Sequence, residues 1–133
     1  MRGYTVSTVL VVDDDAGTRF VLRLALEKAG HEVIEAEHGE AALAQVSLKP
    51  PDIVTTDLTM PVLSGEALIE RLRSQQSTAS IPIIVVSGDP AAAKALHAAG
   101  LVEAIVVKPF EATELQERIR EVASKHITTG PTV

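Results

Sequence analysis

The stretch Ile53-Val54-Thr55-Thr56-Asp57-Leu58-Thr59-Met60-Pro61 decides the fold. A β-branched run ends abruptly in one carboxylate, and the chain then turns through a proline. A strand covered on both faces reads as such an unbroken apolar run, and its end is where a polar side chain can emerge. Three other stretches share the design. Val9-Leu10-Val11-Val12 runs into Asp13-Asp14-Asp15, Ile83-Ile84-Val85-Val86 into Ser87-Gly88-Asp89, and Ile105-Val106-Val107 into Lys108-Pro109. Four apolar runs thus each stop at a group able to do chemistry.

Working outward, strand and helix alternate five times. The strands are expected at 8–12, 32–36, 52–56, 82–86 and 104–107. Helices are expected at 18–29, 40–48, 65–74, 91–99 and 113–125. The first helix carries Phe20, Val21, Leu24 and Ala25 as a wide apolar stripe, with Leu22 and Leu26 beside it. The second is expected to bury Ala41, Leu43, Ala44 and Leu48, the third Leu68, Ile69 and Leu72, and the last Leu115, Ile119 and Val122. Gly30 and Gly100 end helices, and Ser64, Asp15 and Asp89 are candidate caps. The fourth helix is mostly alanine, so it forms readily but buries little, and it should be the loosest of the five. Glu32, Glu35 and Glu37 mark the second strand as a sheet edge, where charge discourages pairing with another chain.

Alternation of this kind implies parallel strands joined by right-handed crossovers, with helices on both faces. The expected class is α/β, an open doubly wound five-stranded parallel sheet. In such sheets ligands sit beyond the carboxyl ends of the strands, which gathers Asp13, Asp14, Asp57, Ser87 and Lys108 on one edge.

The 133 residues suffice for one core. The formal charge of −6 argues against binding nucleic acid through phosphate contacts. With no cysteine, disulfides and thiol catalysis are excluded. His31, His38, His97 and His126 are scattered without metal-ligand spacing and read as surface or rim residues. The opening residues resemble neither a signal peptide nor a membrane span, and a soluble, cytoplasmic protein is expected. The organisation expected is one domain over 1–126 and a loose tail over 127–133.

Chemically, two like charges ~4 Å apart repel by ~4 kcal/mol at an effective dielectric of about 20. Several aspartates in one cleft therefore call for a cation. Oxygen-only ligands suit Mg²⁺ before Zn²⁺. A divalent ion, a lysine and a hydroxyl donor together suit the oxygens of a phosphoryl group, and an aspartate among them can be the nucleophile.

The sequence resembles the receiver domain of bacterial two-component response regulators, of the chemotaxis-regulator type, over about Thr8 to Ala123. The residues that carry the resemblance are V-L-V-V-D-D at 9–14, D-L-T-M-P-V-L-S-G at 57–65, S-G at 87–88 and K-P-F at 108–110. It implies a flavodoxin-like fold with strand order 2-1-3-4-5. It implies that Asp57 accepts a phosphoryl group as a 4-aspartylphosphate from the phosphohistidine of a histidine kinase or a histidine phosphotransfer protein. Asp13, Asp14, Asp57 and the carbonyl of Thr59 would hold Mg²⁺. Ser87 would bind and report the phosphoryl group, Lys108 would pair with it, and a cis Lys108–Pro109 bond would aim the lysine. The domain would be a switch that slowly dephosphorylates itself, more than a turnover enzyme. Its output would be an altered face for a downstream protein, or for a second copy, made by the fourth helix, fifth strand and last helix.

The chain departs from the pattern at Ile105, where the family usually places an aromatic residue that swings on activation. Two other classes use overlapping parts. A haloacid-dehalogenase-type phosphatase places its nucleophile in a D-x-D pattern after the first strand, as in Asp13-x-Asp15. The short chain and the 57–65 pattern oppose that reading. A pseudo-receiver that binds without phosphorylation is opposed by the intact acceptor, acid pair, serine and lysine.

Overall fold

The computed structural model describes residues 7–126. Five strands, β1 (Thr8–Val12), β2 (Glu32–Ala36), β3 (Ile53–Thr56), β4 (Ile83–Ser87) and β5 (Ala104–Val107), alternate with five helices. The helices are α1 (Ala16–Lys28), α2 (Gly39–Leu48), α3 (Gly65–Ser74), α4 (Pro90–Ala98) and α5 (Ala112–His126). All strand pairings are parallel, and the order across the sheet is β2-β1-β3-β4-β5. This is the expected flavodoxin-like arrangement. β1, β3 and β4 lie inside the sheet and are almost wholly buried, while the edge strands β2 and β5 are only partly covered.

Alternation along each strand splits the core into two layers. Val9, Val11, Ile53, Ile84, Val86 and Val106 pack with Leu22 and Leu26 of α1 and Leu115 and Ile119 of α5. Leu10, Val12, Val54, Ile83 and Val85 pack on the other side with Ala42 and Val46 of α2, Leu68, Ile69 and Leu72 of α3, and Ala93 of α4. Each fully buried Leu or Ile contributes roughly 1.5–3 kcal/mol of transfer free energy, so the helices are held to the sheet mainly by these stripes.

Local signals set the helix starts. Asp15, Ser64 and Asp89 cap α1, α3 and α4 by accepting the amides of Thr18, Ala67 and Ala92. The cap of α2 is His38, whose Nδ1 accepts the Ala41 amide at 3.1 Å. That role was not visible in the sequence, because histidine is not a common cap. The two helix-ending glycines do take positive φ, 94° at Gly30 and 77° at Gly100. At the far end of α3, Arg73 donates to the carbonyls of Ala79, Ile81 and Leu101 and pairs with Glu103, which in turn accepts the Ile83 amide. This ties α3 to the starts of β4 and β5.

Three expectations need correction. In α1, Phe20 is 60% exposed and Val21 and Leu24 also face outward, and the buried stripe is Leu22, Ala25 and Leu26. Six apolar residues in seven positions leave the inward face undetermined by periodicity; in the fold, Arg19 and Arg23 turn to Glu35 on β2. In α2 the buried residues are Gly39, Ala42 and Val46, while Ala44 and Leu48 are exposed. The helix carries apolar residues on nearly every side, so periodicity leaves its packed face open, and Ala41 and Leu43 are partly buried against the same core. Ser87 belongs to β4 rather than to the loop after it. The expected tail at 127–133 lies outside the described residues.

One core residue is polar without a partner. Thr55 lies between Val11 and Ile84 in register, is fully buried, and its Oγ1 makes no hydrogen bond. A buried hydroxyl left unpaired costs about 1–3 kcal/mol, whereas valine has nearly the same shape. Thr55→Val should therefore raise stability by about 1 kcal/mol, read as a higher urea midpoint at unchanged m-value by circular dichroism.

Candidate functional site

Strand register brings the acidic residues together. Val12 pairs with Thr56, so the next residues, Asp13 and Asp57, leave the sheet side by side. The amides of both are still held by the ladder, Asp13 to the Ala36 carbonyl and Asp57 to the Val12 carbonyl. Side-chain parity then sorts the strand ends. Asp13 follows Val9 and Val11, Asp57 follows Ile53 and Thr55, and Lys108 follows Val106, all in phase with the layer under α1 and α5. Ser87 is in phase with Ile83 and Val85, in the opposite layer.

The contacts agree with that sorting. Lys108 Nζ donates to Asp13 Oδ2 and to Asp57 Oδ2, both at 3.0 Å. Asp13 is 1% exposed, while the side chains of Asp57 and Lys108 are 13% and 26% exposed. Burial pulls the Lys108 ammonium down, but its bonds to Asp13 and Asp57 outweigh that and hold its pKa above the ordinary lysine value. The lysine is a fixed cation at the site.

The remaining carboxylate oxygens are also placed. Asp13 Oδ1 accepts the Asp15 amide at 2.9 Å, and Asp57 Oδ1 accepts the Leu58 amide at 2.7 Å. Asp14, exposed, completes the group: one oxygen from each of Asp13, Asp14 and Asp57 lies within 4.8 Å of the others. Three formal negative charges stand against one ammonium. An oxygen-only donor set with surplus negative charge and an open side fits a small hard divalent cation. Asp15 is not part of this set. It caps α1, and its bonds from the hydroxyl and amide of Thr18 hold its carboxyl below the usual range.

Ser87 is buried and accepts the Asp89 amide on Oγ at 3.0 Å, so the loop into α4 is tied to its hydroxyl. Its carbonyl accepts the Lys108 amide, but its side chain makes no hydrogen bond to Lys108 or Asp57. Thr59 is exposed two residues beyond Asp57, and no hydrogen bond among the described residues takes its carbonyl. The Lys108–Pro109 bond is cis.

Two features were missed in the sequence. Gly65 starts α3 where a Cβ would fall 1.9 Å from the Asp57 carbonyl oxygen, so only glycine lets that helix approach the acidic strand end. Val62 holds φ at 70° in the loop between them, an unusual conformation for a β-branched residue.

The chain matches the family described as the response regulator receiver domain over residues 9–120. Among curated relatives, it is 34% identical over 125 residues to the phosphate regulon transcriptional regulatory protein PhoB of Pseudomonas aeruginosa, covering 93% of this chain and 53% of that protein. It is 36% identical over 122 residues to the sensor histidine kinase TmoS of Ectopseudomonas mendocina, covering 90% of this chain and 12% of that one. The chain thus spans about half of the first relative and a small part of the second. Among solved structures, the chemotaxis response regulator CheY4 of Vibrio cholerae superposes with a TM-score of 0.81 at 30% identity, covering 89% of this chain and 99% of that one. A response regulator receiver protein from Pseudomonas putida gives 0.79 at 33% identity, covering 90% and 99%.

The glycine contact generates a test. Gly65→Ala must push α3 off the Asp57 backbone, and overpacking against backbone cannot be relieved by a rotamer change. The variant should lose about 3 kcal/mol, the upper part of the usual overpacking range, measured by urea unfolding. Gly88→Ala, with open space around it, should change stability by less than about 1 kcal/mol.

Proposed function

Because the chain belongs to the response regulator receiver domain family, we propose that it is a phosphorylation-dependent switch of a two-component system with Asp57 as its phosphoacceptor. The observation that carries this reading is the Lys108 ammonium shared between Asp13 and Asp57, with Asp14 alongside. Asp57 is the most accessible carboxylate bonded to that lysine. Asp13 suits a nucleophile poorly because it is sealed from solvent, whereas the Asp57 side chain is partly open. This weighs against the phosphatase alternative, as does the use of Asp15 as a helix cap.

In this reading the donor is a phosphohistidine of a histidine kinase or a histidine phosphotransfer protein. An Asp57 oxygen forms a bond to phosphorus as the bond from phosphorus to the imidazole nitrogen breaks; the bonding pair stays on that nitrogen, and the ring, protonated on its other nitrogen, leaves as neutral imidazole. Lys108 stays bonded to Asp13 and turns its remaining donors to a phosphoryl oxygen. The Leu58 amide holds the other Asp57 oxygen and so orients the carboxylate. Asp13, Asp14, Asp57 and the Thr59 carbonyl would hold Mg²⁺, which when bound offsets the negative charge of carboxylates and phosphoryl group. Attack by water returns Asp57 and inorganic phosphate. That slow step makes the domain a timed switch and not a turnover enzyme.

The readout begins at Ser87. Its hydroxyl now holds the Asp89 amide, and Asp89 caps α4. Turning the hydroxyl to a phosphoryl oxygen releases that amide and moves the start of α4. The helix buries only Ala93 completely, so its displacement costs little. Ile105, half-buried on β5 against the same layer, has no ring to swing. The altered face is that of α4, β5 and α5, offered to a downstream protein or to a second copy. No helix among the described residues is long and apolar enough to cross a membrane, and a cytoplasmic setting fits a kinase donor.

Two measurements test this. Acetyl phosphate with Mg²⁺ should add one phosphoryl group by intact mass. Asp57→Asn should abolish the addition, Asp14→Asn should weaken it strongly, and Asp15→Asn should leave most of it. Undiminished labelling of Asp57→Asn refutes the acceptor assignment. Separately, beryllofluoride, an acyl-phosphate mimic, should shift the NMR signals of Gly88–Ala93 and Ile105. Shifts confined to residues 13–15 and 57–59 would overturn the proposed route.

A further inference from the structure

We propose that Arg19 is a positioning residue for the metal-binding turn, acting through the backbone of Asp13. The inference rests on the reading of Asp13 and Asp14 as cation ligands. Arg19 lies one turn into α1, with its side chain 17% exposed. Its Nη1 donates to the Asp13 carbonyl at 2.7 Å, and its Nε donates to Glu35 Oε1 at 2.9 Å. Glu35 projects from β2, paired in register with Val11 of β1. A strand therefore aims the arginine, and the arginine holds a carbonyl two residues beyond that register point.

The held carbonyl belongs to the peptide that joins Asp13 to Asp14. The Asp13 amide is fixed to Ala36, and the Asp13 carboxylate to Lys108 and to the Asp15 amide. The carbonyl is the last free group of the residue, and Arg19 takes it. Rotation of that peptide plane would swing Asp14, whose exposed side chain has no hydrogen bond of its own among the described residues. Arg19 thus sets where the third carboxylate of the cluster points. Partners that orient ligands from outside the coordination sphere typically matter about 10–100-fold in metal affinity.

Arg23 provides an internal control. It also pairs with Glu35, through Nε at 2.6 Å, and with Glu27, but it does not touch the Asp13 backbone. Both arginines carry one positive charge on the same helix. Electrostatics alone predicts that removing either cation tightens binding of Mg²⁺, since a repulsion is lost. Positioning predicts the opposite sign, and for Arg19 only.

The test compares wild type, Arg19→Met, Arg19→Lys and Arg23→Met in the full chain, with Mg²⁺ binding measured by calorimetry. Arg19→Met should weaken binding about tenfold. Arg19→Lys, which keeps the charge but cannot span Glu35 and the carbonyl together, should weaken it comparably. Arg23→Met should bind as wild type or slightly tighter. In the metal-free proteins the Asp15 amide should exchange with solvent about fivefold faster in Arg19→Met than in Arg23→Met. Unchanged or tighter Mg²⁺ binding by Arg19→Met, or equal losses in both Met variants, overturns the proposal. A wild-type chain that binds no Mg²⁺ would refute the receiver chemistry instead, and equal Asp15 exchange in the two Met variants would then still refute the role of Arg19.

Discussion

The bridge from Lys108 to Asp13 and Asp57 is the constraint on which the rest depends. It joins residues 95 and 51 positions apart in sequence and connects the ends of β1, β3 and β5. Two carboxylates brought side by side by strand register would repel, and the ammonium turns that repulsion into attraction. The bridge needs β5 to run parallel and in register with β4, so that Lys108 arrives at the same edge. The doubly wound sheet supplies this, and its two apolar layers hold it in place.

Around that bridge, each neighbouring element is fixed by a small number of contacts. Gly65 allows α3 to touch the Asp57 backbone, and Arg73 ties the other end of α3 to the loops before β4 and β5. Arg19 ties α1 to the Asp13 carbonyl. By contrast, α4 is held by one buried alanine, by partly buried neighbours and by its Asp89 cap. The molecule therefore has a stiff acidic edge with one lightly held helix beside it. In a two-state switch, the element that shifts is drawn from the least stable part of the structure.

Parity also separates the residues of the proposed chemistry from that of the proposed readout. Asp13, Asp57 and Lys108 share the α1–α5 side of the sheet, while Ser87 belongs to the side covered by α2, α3 and α4. A phosphoryl group on Asp57 would extend across the edge between them. In the proposed reading the serine would carry a change from one layer to the other, through a hydroxyl that already holds the loop into α4.

The sequence by itself determined the alternation of strands and helices, the parallel sheet and the set of residues at its carboxyl edge. Unbroken, short, β-branched runs such as Val9–Val12 and Ile83–Val86 read as strands covered on both faces, and each ends at its polar residue. Three caps were also legible, at Asp15, Ser64 and Asp89, because a short polar side chain before a helix has a local hydrogen bond to make. Only the tertiary structure decided which carboxylates share the lysine, since register is set between strands and not within one. It also decided which face of α1 is buried, where periodicity allowed several and packing of Leu22, Ala25 and Leu26 on the sheet realises one. The close approach at Gly65 and the unpaired hydroxyl of Thr55 were illegible for the same reason. What a glycine makes room for, or a hydroxyl fails to reach, depends on atoms that belong to other elements of the chain.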